Sequence, residues 1–190
     1  GTITKGKLEV VEFFDGTLED RYEASIMIKE QMLLCIGKNT GAMFDEAGEI
    51  IGGNATDKAL LSFLTKENYE AVQGIKVFKS QQFNSANKYS AAELDGTTYY
   101  KGAPERLLSR AKYYLDHEGN VMPLNLAAIN QKIDQLAEKS MRVLSFAYSN
   151  SPLVEDTLPT DLVIIGFVGI RDDVRPEARH ALGDVQQAGV

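Results

Sequence analysis

Five consecutive residues, Lys101–Glu105 (KGAPE), combine a cation, a glycine and a proline that can begin a helix. We place the lysine at the end of a predicted strand, where Gly102 allows a ligand to come close to the backbone. A helix that begins at Pro104 presents unpaired N–H groups and the positive end of its dipole. Such a corner can bind an anion. A plain strand-to-helix turn with a solvated lysine is the alternative.

An aromatic residue and two further cations offer a second means of binding a nucleotide. Phe83 precedes Lys88 by five residues across a polar loop, so a ring and an ammonium group could hold a nucleotide by stacking and charge. Arg142 stands between a predicted helix and a predicted strand, where it could bind phosphate or pair with a carboxylate. A buried phenylalanine with an edge lysine, and a salt bridge at a helix end, are the alternatives. The residues alone leave them open.

Other chemistries find little support in the sequence. Residues 1–8 (GTITKGKL) come within one residue of a phosphate-binding P-loop, but Leu8 stands where a Ser or Thr hydroxyl would bind magnesium. His117, His180 and Cys35 are far apart in the sequence, so neither a zinc site nor a Cys–His nucleophile is predicted. Carboxylates are plentiful, but no spacing selects an acid–base pair. We predict no metal site within the chain.

The composition is that of an ordinary soluble domain. The 190 residues are 44% hydrophobic and 25% charged, which allows a sizeable core beneath a polar surface. The formal net charge of −7 argues against a nucleic-acid binder. A single cysteine excludes an internal disulfide and suits a reducing compartment. No run of about 18 apolar residues predicts a membrane-spanning helix, and no signal peptide is recognised.

Hydrophobic periodicity and turn residues predict the secondary structure. Asn54 is the expected cap of one helix, with Asp57 three positions on. Asp95 and Gly96 predict a tight hairpin, and residues 39–53 a loop or hairpin. Because strands and helices do not alternate regularly, we predict an antiparallel or mixed sheet covered by helices. Helices are predicted at 21–34, 54–65, 104–115, 125–139 and 176–188, and strands at 75–80, 88–94, 97–101, 143–148 and 162–170.

Six segments of the chain, in the order in which the family has them, together resemble the nucleotide-binding domain of type II P-type ATPases, the calcium-pump and sodium-pump group. The resemblance covers nearly the whole chain. It implies an α/β (α+β) fold in which a twisted, mainly antiparallel sheet is flanked by helices. The segments are residues 1–6 (GTITKG), 53–61 (GNATDKALL), Phe83 with Lys88, 101–105 (KGAPE), 141–144 (MRVL) and 169–177 (GIRDDVRPE).

The resemblance also implies a ligand and a role for each matching residue. ATP is the expected ligand, and Mg²⁺ would accompany it in the intact pump. Asp57 replaces a longer Glu of the family pattern, and Asp173 replaces a hinge proline, which removes a rigid φ angle. The implied roles are that Phe83 stacks on adenine, Lys88, Lys101 and Gly102 line the pocket, Asp57 approaches the adenine edge, and Arg142 neutralises phosphate.

The resemblance further divides the chain into three parts. Residues 7–171 would form the nucleotide-binding domain, whereas residues 1–6 and 172–190 would belong to the phosphorylation domain. Asp172 and Arg175 would lie at the hinge. The phosphorylated aspartate would lie just upstream of Gly1, so the chain would hold no catalytic residue and be inactive alone. Its partners would be the phosphorylation and actuator domains of the same pump, on the cytoplasmic face of a membrane.

The transported ion is not encoded in this domain, because ion ligands belong to membrane helices. The GNAT and DDVRPE segments nevertheless favour a calcium pump. Two other classes of function are open. A self-sufficient haloacid-dehalogenase-like hydrolase would need a nucleophilic aspartate after a strand, which the start of the sequence lacks. A protein-interaction domain without a ligand would not bind ATP.

Overall fold

The structure is a computed structural model that describes residues 6–174. The predicted helix at 176–188, together with Arg175, His180 and residues 1–5, lies outside the described residues. Within residues 6–174 there are ten strands and five helices. The strands are β1 Gly6–Phe14, β2 Ala42–Phe44, β3 Ile50–Gly52, β4 Lys79–Gln81, β5 Tyr89–Glu93, β6 Thr98–Gly102, β7 Tyr113–Leu115, β8 Val121–Pro123, β9 Arg142–Ser149 and β10 Val163–Val174. The helices are α1 Ile26–Gly37, α2 Ala55–Leu64, α3 Lys66–Gln73, α4 Pro104–Leu108 and α5 Leu126–Glu138.

Eight of the strands form one sheet. Its neighbour order is β4-β5-β6-β9-β10-β7-β8, and β1 also pairs with β10. Every pairing in this sheet is antiparallel except that of β10 with β7. Strands β2 and β3 form a separate antiparallel hairpin. The prediction of a mainly antiparallel sheet flanked by helices is confirmed.

Alternate side chains of the sheet enter two apolar clusters on opposite faces. In β1, Phe13 belongs to the cluster beneath α1 and α2, while Phe14 belongs to the cluster beneath α4 and α5. In β6, Tyr99 enters the first cluster and Tyr100 the second. Successive side chains of a strand point to opposite faces, so helices cover both faces of the sheet. Lys101, two residues after Tyr99, therefore points to the α1–α2 side.

Two helices begin where the sequence predicts. The Asn54 side chain accepts a hydrogen bond from the Asp57 N–H at 2.8 Å, which satisfies one of the unpaired donors at the start of α2. Pro104 is the first residue of α4, where a missing N–H costs nothing. These two starts hold Asp57 and the Lys101–Glu105 corner in place.

One predicted helix is too long. Helix α4 ends at Leu108 rather than near residue 115, because Tyr113–Leu115 forms strand β7 between β8 and the start of β10. Leu115 is buried by this pairing. Aromatic residues fit a half-buried pleated surface well, so the tertiary pairing outweighs the local helical pattern.

Other boundaries are also wrong. Helix α1 begins at Ile26 and not at residue 21, because the Ser25 hydroxyl caps it by accepting from the Ile28 N–H. Strand β4 covers 79–81 instead of 75–80. The periodicity does not predict β1, α3 or β8. None of the helices between residues 6 and 174 has both the length and the hydropathy of a membrane span.

Candidate functional site

Asp57 and Lys101 form a largely buried ion pair between two layers of the fold. Asp57 lies in the first turn of α2 and Lys101 near the end of β6. Lys101 Nζ lies 3.0 Å from Asp57 Oδ1, and the two side chains are only 9% and 14% exposed. Lys101 is therefore not a solvated lysine, and that part of the alternative is wrong.

The segment that follows α1 contacts both members of this pair. Lys101 Nζ donates a hydrogen bond to the backbone carbonyl of Asn39. The Gly41 N–H donates to Asp57 Oδ2 at 3.2 Å. Sequence reasoning missed both residues, because backbone groups carry no sequence signal of their own.

Glycine at position 53 allows the end of β3 to lie against α2. Its φ angle is +68°, and a Cβ there would lie 2.8 Å from the Ala42 nitrogen and 3.0 Å from Asp57 Cβ. Any side chain would thus push the β2–β3 hairpin away from Asp57. A glycine in the GNAT segment is the sequence signal for this close approach.

Gly102 has a packing role that was not predicted from the sequence. A Cβ at this position would lie 2.5 Å from Tyr89 Cβ and 2.6 Å from the Lys88 carbonyl oxygen. The Gly102 carbonyl accepts a hydrogen bond from Ser145 Oγ at 2.8 Å. The missing side chain makes room for strand β5.

Lys88 is joined to the KGAPE corner through its backbone. It has a φ angle of +60°, which is uncommon for a residue other than glycine. Its carbonyl oxygen accepts from the Ala103 N–H at 3.0 Å, which fixes the loop to the start of α4. Its ammonium group lies 3.8 Å from the Glu105 carboxylate, and both side chains are more than half exposed. The ion pair of Lys88 with Glu105 is thus weak.

Phe83 lies on the same loop as Lys88, with 58% of its surface exposed. The alternative of a buried phenylalanine is therefore wrong. None of the ring pairs among the described residues includes Phe83. More than half of the surface of this residue is therefore accessible to a ligand.

Arg142 lies at the first position of β9, opposite the start of α2. Its Nη1 is 3.4 Å from Thr56 Oγ1, which brings it next to the residue preceding Asp57. Its side chain is exposed, and within residues 6–174 it takes part in none of the ion pairs. Lys101 and Arg142, from separate parts of the chain, thus contact neighbouring residues of the first turn of α2, Asp57 and Thr56.

The remaining residues singled out from the sequence lie elsewhere. Cys35 is buried and donates to the Tyr100 carbonyl, and burial raises the pKa of its thiol to about 12. His117 Nδ1 instead lies 2.6 Å from Arg21. Asp172 is exposed in β10, where it opposes Leu8. No group of three or more His, Cys, Asp or Glu within the described residues has the arrangement of a metal site.

A surface depression of about 210 Å³ lies apart from these residues. It is lined by β1 residues, by the segment after β1 and by Phe63 of α2. None of the residues predicted to bind a ligand contributes to it. We therefore place the candidate site beside the first turn of α2, which Lys101 and Arg142 contact, rather than in this depression.

Comparison with known proteins gives consistent matches. The profile of the family described as P-type ATPase, cytoplasmic domain N, matches residues 27–177. The calcium-transporting ATPase 7, plasma membrane-type, of Oryza sativa subsp. japonica is 30% identical over 217 residues, which cover 100% of this chain and 21% of that protein. The plasma membrane calcium-transporting ATPase 4 of Homo sapiens is 32% identical over 162 residues, covering 73% of this chain and 13% of that protein. The chain thus spans about a fifth or less of the length of these relatives.

Proposed function

The chain belongs to the P-type ATPase cytoplasmic domain N family, and we propose from this membership that it binds ATP and presents the γ-phosphate to the phosphorylation domain of a calcium-transporting pump. The observation that carries the proposal is the convergence of Asp57, Lys101 and Arg142, which come from α2, β6 and β9. Calcium is proposed because both of the relatives described above are named calcium-transporting ATPases.

The Asp57–Lys101 pair suits the base end of the nucleotide. An ammonium group has three donors and a carboxylate about four acceptor positions. Lys101 uses two donors, toward Asp57 and the Asn39 carbonyl, and Asp57 accepts from Lys101 and Gly41. A donor and further acceptor positions are left for a ligand. The pair is neutral as a whole, so it attracts phosphate weakly, and a base edge with its own donors and acceptors matches it better.

The stacking partner of the base is Phe83. Its exposed ring and Lys88 lie on one loop, which the hydrogen bond from Ala103 fixes to the KGAPE corner. Stacking of a base on an aromatic ring contributes about 1–3 kcal/mol. This stacking contribution does not depend on charge, so the negative net charge of the chain does not weaken it.

The phosphate end is assigned to Arg142. Its guanidinium is exposed and offers a planar set of donors. Among the described residues, its side-chain hydrogen-bond partner is the Thr56 hydroxyl. An exposed charge pair contributes only about 0.2–1 kcal/mol. Because the site is open, we expect affinity near the millimolar range, about −4 kcal/mol. Mg²⁺ would act with the triphosphate in the intact pump, so binding to this chain should depend little on it.

The wider arrangement is part of the same proposal. Residues 7–171 form the nucleotide-binding domain, and residues 1–6 and 172–190 belong to the phosphorylation domain. Asp172 and Arg175 lie at the hinge, and the phosphorylation and actuator domains are the partners on the cytoplasmic face of a membrane. Phosphoryl transfer then relies on positioning and charge neutralisation.

A ligand titration followed by amide chemical shifts tests the binding proposal. ATP should shift signals of Phe83, Lys101 and Arg142, and adenosine should shift the first two. Phe83→Ala should weaken ATP and adenosine alike, whereas Arg142→Ala should weaken ATP and spare adenosine. Shifts that cluster elsewhere would show that the site is misplaced.

Two residues of the chain provide matched controls for these variants. Phe78 is 57% exposed, nearly the same as Phe83, but lies outside the Phe83–Lys88 loop. Arg110 is exposed and lies beyond the end of α4. Phe78→Ala and Arg110→Ala should leave both affinities unchanged. Equal losses in the site variants and in these controls would contradict the assignment.

Incubation with γ-labelled ATP and Mg²⁺ separates this function from that of a self-sufficient hydrolase. We assign only binding roles to the residues of the candidate site, so no acid-stable label should appear on the chain. Labelled chain after acid precipitation would favour the haloacid-dehalogenase-like alternative. Failure of ATP to bind at any concentration tested would favour the interaction domain.

A further inference from the structure

The geometry of the Asp57–Lys101 pair depends on one short segment, residues 38–41, which directly follows α1. This segment presents a carbonyl group, that of Asn39, to the ammonium of Lys101. It presents an N–H group, that of Gly41, to the carboxylate of Asp57. Each backbone dipole thus has the polarity that its charged partner needs, and a shift of the segment would disturb both contacts at once.

The Asn39 side chain holds this segment in place. Its Nδ2 donates to the carbonyls of Cys35 at 2.9 Å and Tyr99 at 3.3 Å, and its Oδ1 accepts from Ser90 Oγ at 3.2 Å. Both amide hydrogens and the amide oxygen are thereby used. These bonds connect the end of α1 with β5 and β6. Fully satisfied buried polar networks of this kind make a local structure rigid.

The backbone at Asn39 does not by itself require asparagine. Its φ angle is not among the positive values of the described residues, so the side chain is not present to allow a left-handed turn. Asn39 is only 6% exposed. It is therefore placed to act through Lys101 and Asp57 rather than by touching a nucleotide.

We propose that Asn39 is the positioning residue of the Asp57–Lys101 pair and thereby sets the affinity of the site for the base end of ATP. The second half of this inference rests on the proposed function, whereas the first half concerns the pair alone. Asn39→Ala removes all three side-chain hydrogen bonds, and Ser90→Ala removes one of them.

The test combines ligand affinity with the NMR signal of the Lys101 ammonium group. Because the loss of these bonds would let residues 38–41 shift, Asn39→Ala should lower affinity for ATP and adenosine about fivefold each, which corresponds to about 1 kcal/mol. The ammonium signal should move and exchange faster with water, at a temperature where the variant is fully folded. Ser90→Ala should show a smaller change in the same direction.

Leu158→Ala is the control for a merely structural effect. Leu158 is 2% exposed and belongs to the cluster on the opposite face of the sheet. Its truncation should destabilise the fold while leaving the Lys101 signal and both affinities unchanged. If Leu158→Ala changes them as much as Asn39→Ala does, Asn39 has no specific role.

The outcomes separate this inference from the proposed function. Folded Asn39→Ala and Ser90→Ala chains with unchanged affinities and an unchanged Lys101 signal would overturn the role of Asn39. If Asn39→Ala does not fold, Ser90→Ala alone decides. If the unaltered chain does not bind ATP, the proposed function fails, and the Lys101 signal still decides whether Asn39 positions the pair.

Discussion

Removal of the Asp57 carboxylate is the most informative single perturbation of this fold. In Asp57→Ala, the Lys101 ammonium would keep its burial and only one of its two acceptors, the Asn39 carbonyl. Breaking a buried ion pair from one side costs about 3–5 kcal/mol. Because the carbonyl remains and the Asp57 side chain is 14% exposed, we expect the lower limit, about 3 kcal/mol.

Urea unfolding followed by far-UV circular dichroism measures this loss, since the chain has no tryptophan. At a slope of about 2 kcal/mol/M, the unfolding midpoint should fall by about 1.5 M. The double variant Asp57→Ala with Lys101→Met should recover most of the loss, because a buried pair replaced by apolar groups is often neutral in stability.

Glu67→Ala is the matched control for the charge at the start of a helix. Glu67 lies in the first turn of α3, is exposed, and takes part in none of the described ion pairs, so its loss should cost at most about 1 kcal/mol. Equal costs for Asp57→Ala and this control would refute the argument. A double variant that loses the sum of its two single losses would refute it as well.

Two further predictions concern packing and titration. Gly102→Ala should destabilise the fold by about 1–3 kcal/mol, because the added Cβ would lie 2.5 Å from Tyr89 Cβ. Gly74→Ala is the control and should be nearly neutral, because no atom lies within 4 Å of a Cβ at that position. Urea unfolding of both variants measures the two effects. Cys35 should react with thiol reagents only as fast as the chain unfolds, since burial raises its thiol pKa from 9.0 to about 12. Because the unfolded chain loses the thiol proton at a lower pH than the folded chain, the contribution of Cys35 to the free energy of unfolding is present below pH 9 and declines between pH 9 and about 12. A reaction of Cys35 with thiol reagents that is faster than unfolding would contradict the burial of this thiol.

Local signals in the sequence were sufficient for part of this structure. Asn54 and Pro104 begin helices as predicted because capping and the missing proline N–H act within a few residues. The Asp95–Gly96 turn likewise joins β5 to β6. Strand β7 could not be predicted, since Tyr113–Leu115 becomes a strand only by pairing with β8 and β10.

The residues of the candidate site also divide into those with a local sequence signal and those without one. Asp57, Lys101 and Arg142 were found because each lies in a segment that resembles the family. Asn39 was missed because its partners Ser90 and Tyr99 are 51 and 60 residues away, and such contacts leave no local pattern. Phe83 was singled out from the sequence together with Lys88, but its exposure depends on the packing of its loop, which the sequence did not predict.

The pairing of β1 with β10 has a consequence for mechanical load. Gly6 opposes Val174 at one end of this pair and Phe14 opposes Phe167 at the other. A force that pulls Gly6 and Val174 apart therefore loads one hydrogen-bonded pair at a time, like a zip, instead of shearing all pairs together. Opening should proceed easily to the bulge between Val10 and Glu12 and then stall at the buried Phe13 and Phe14.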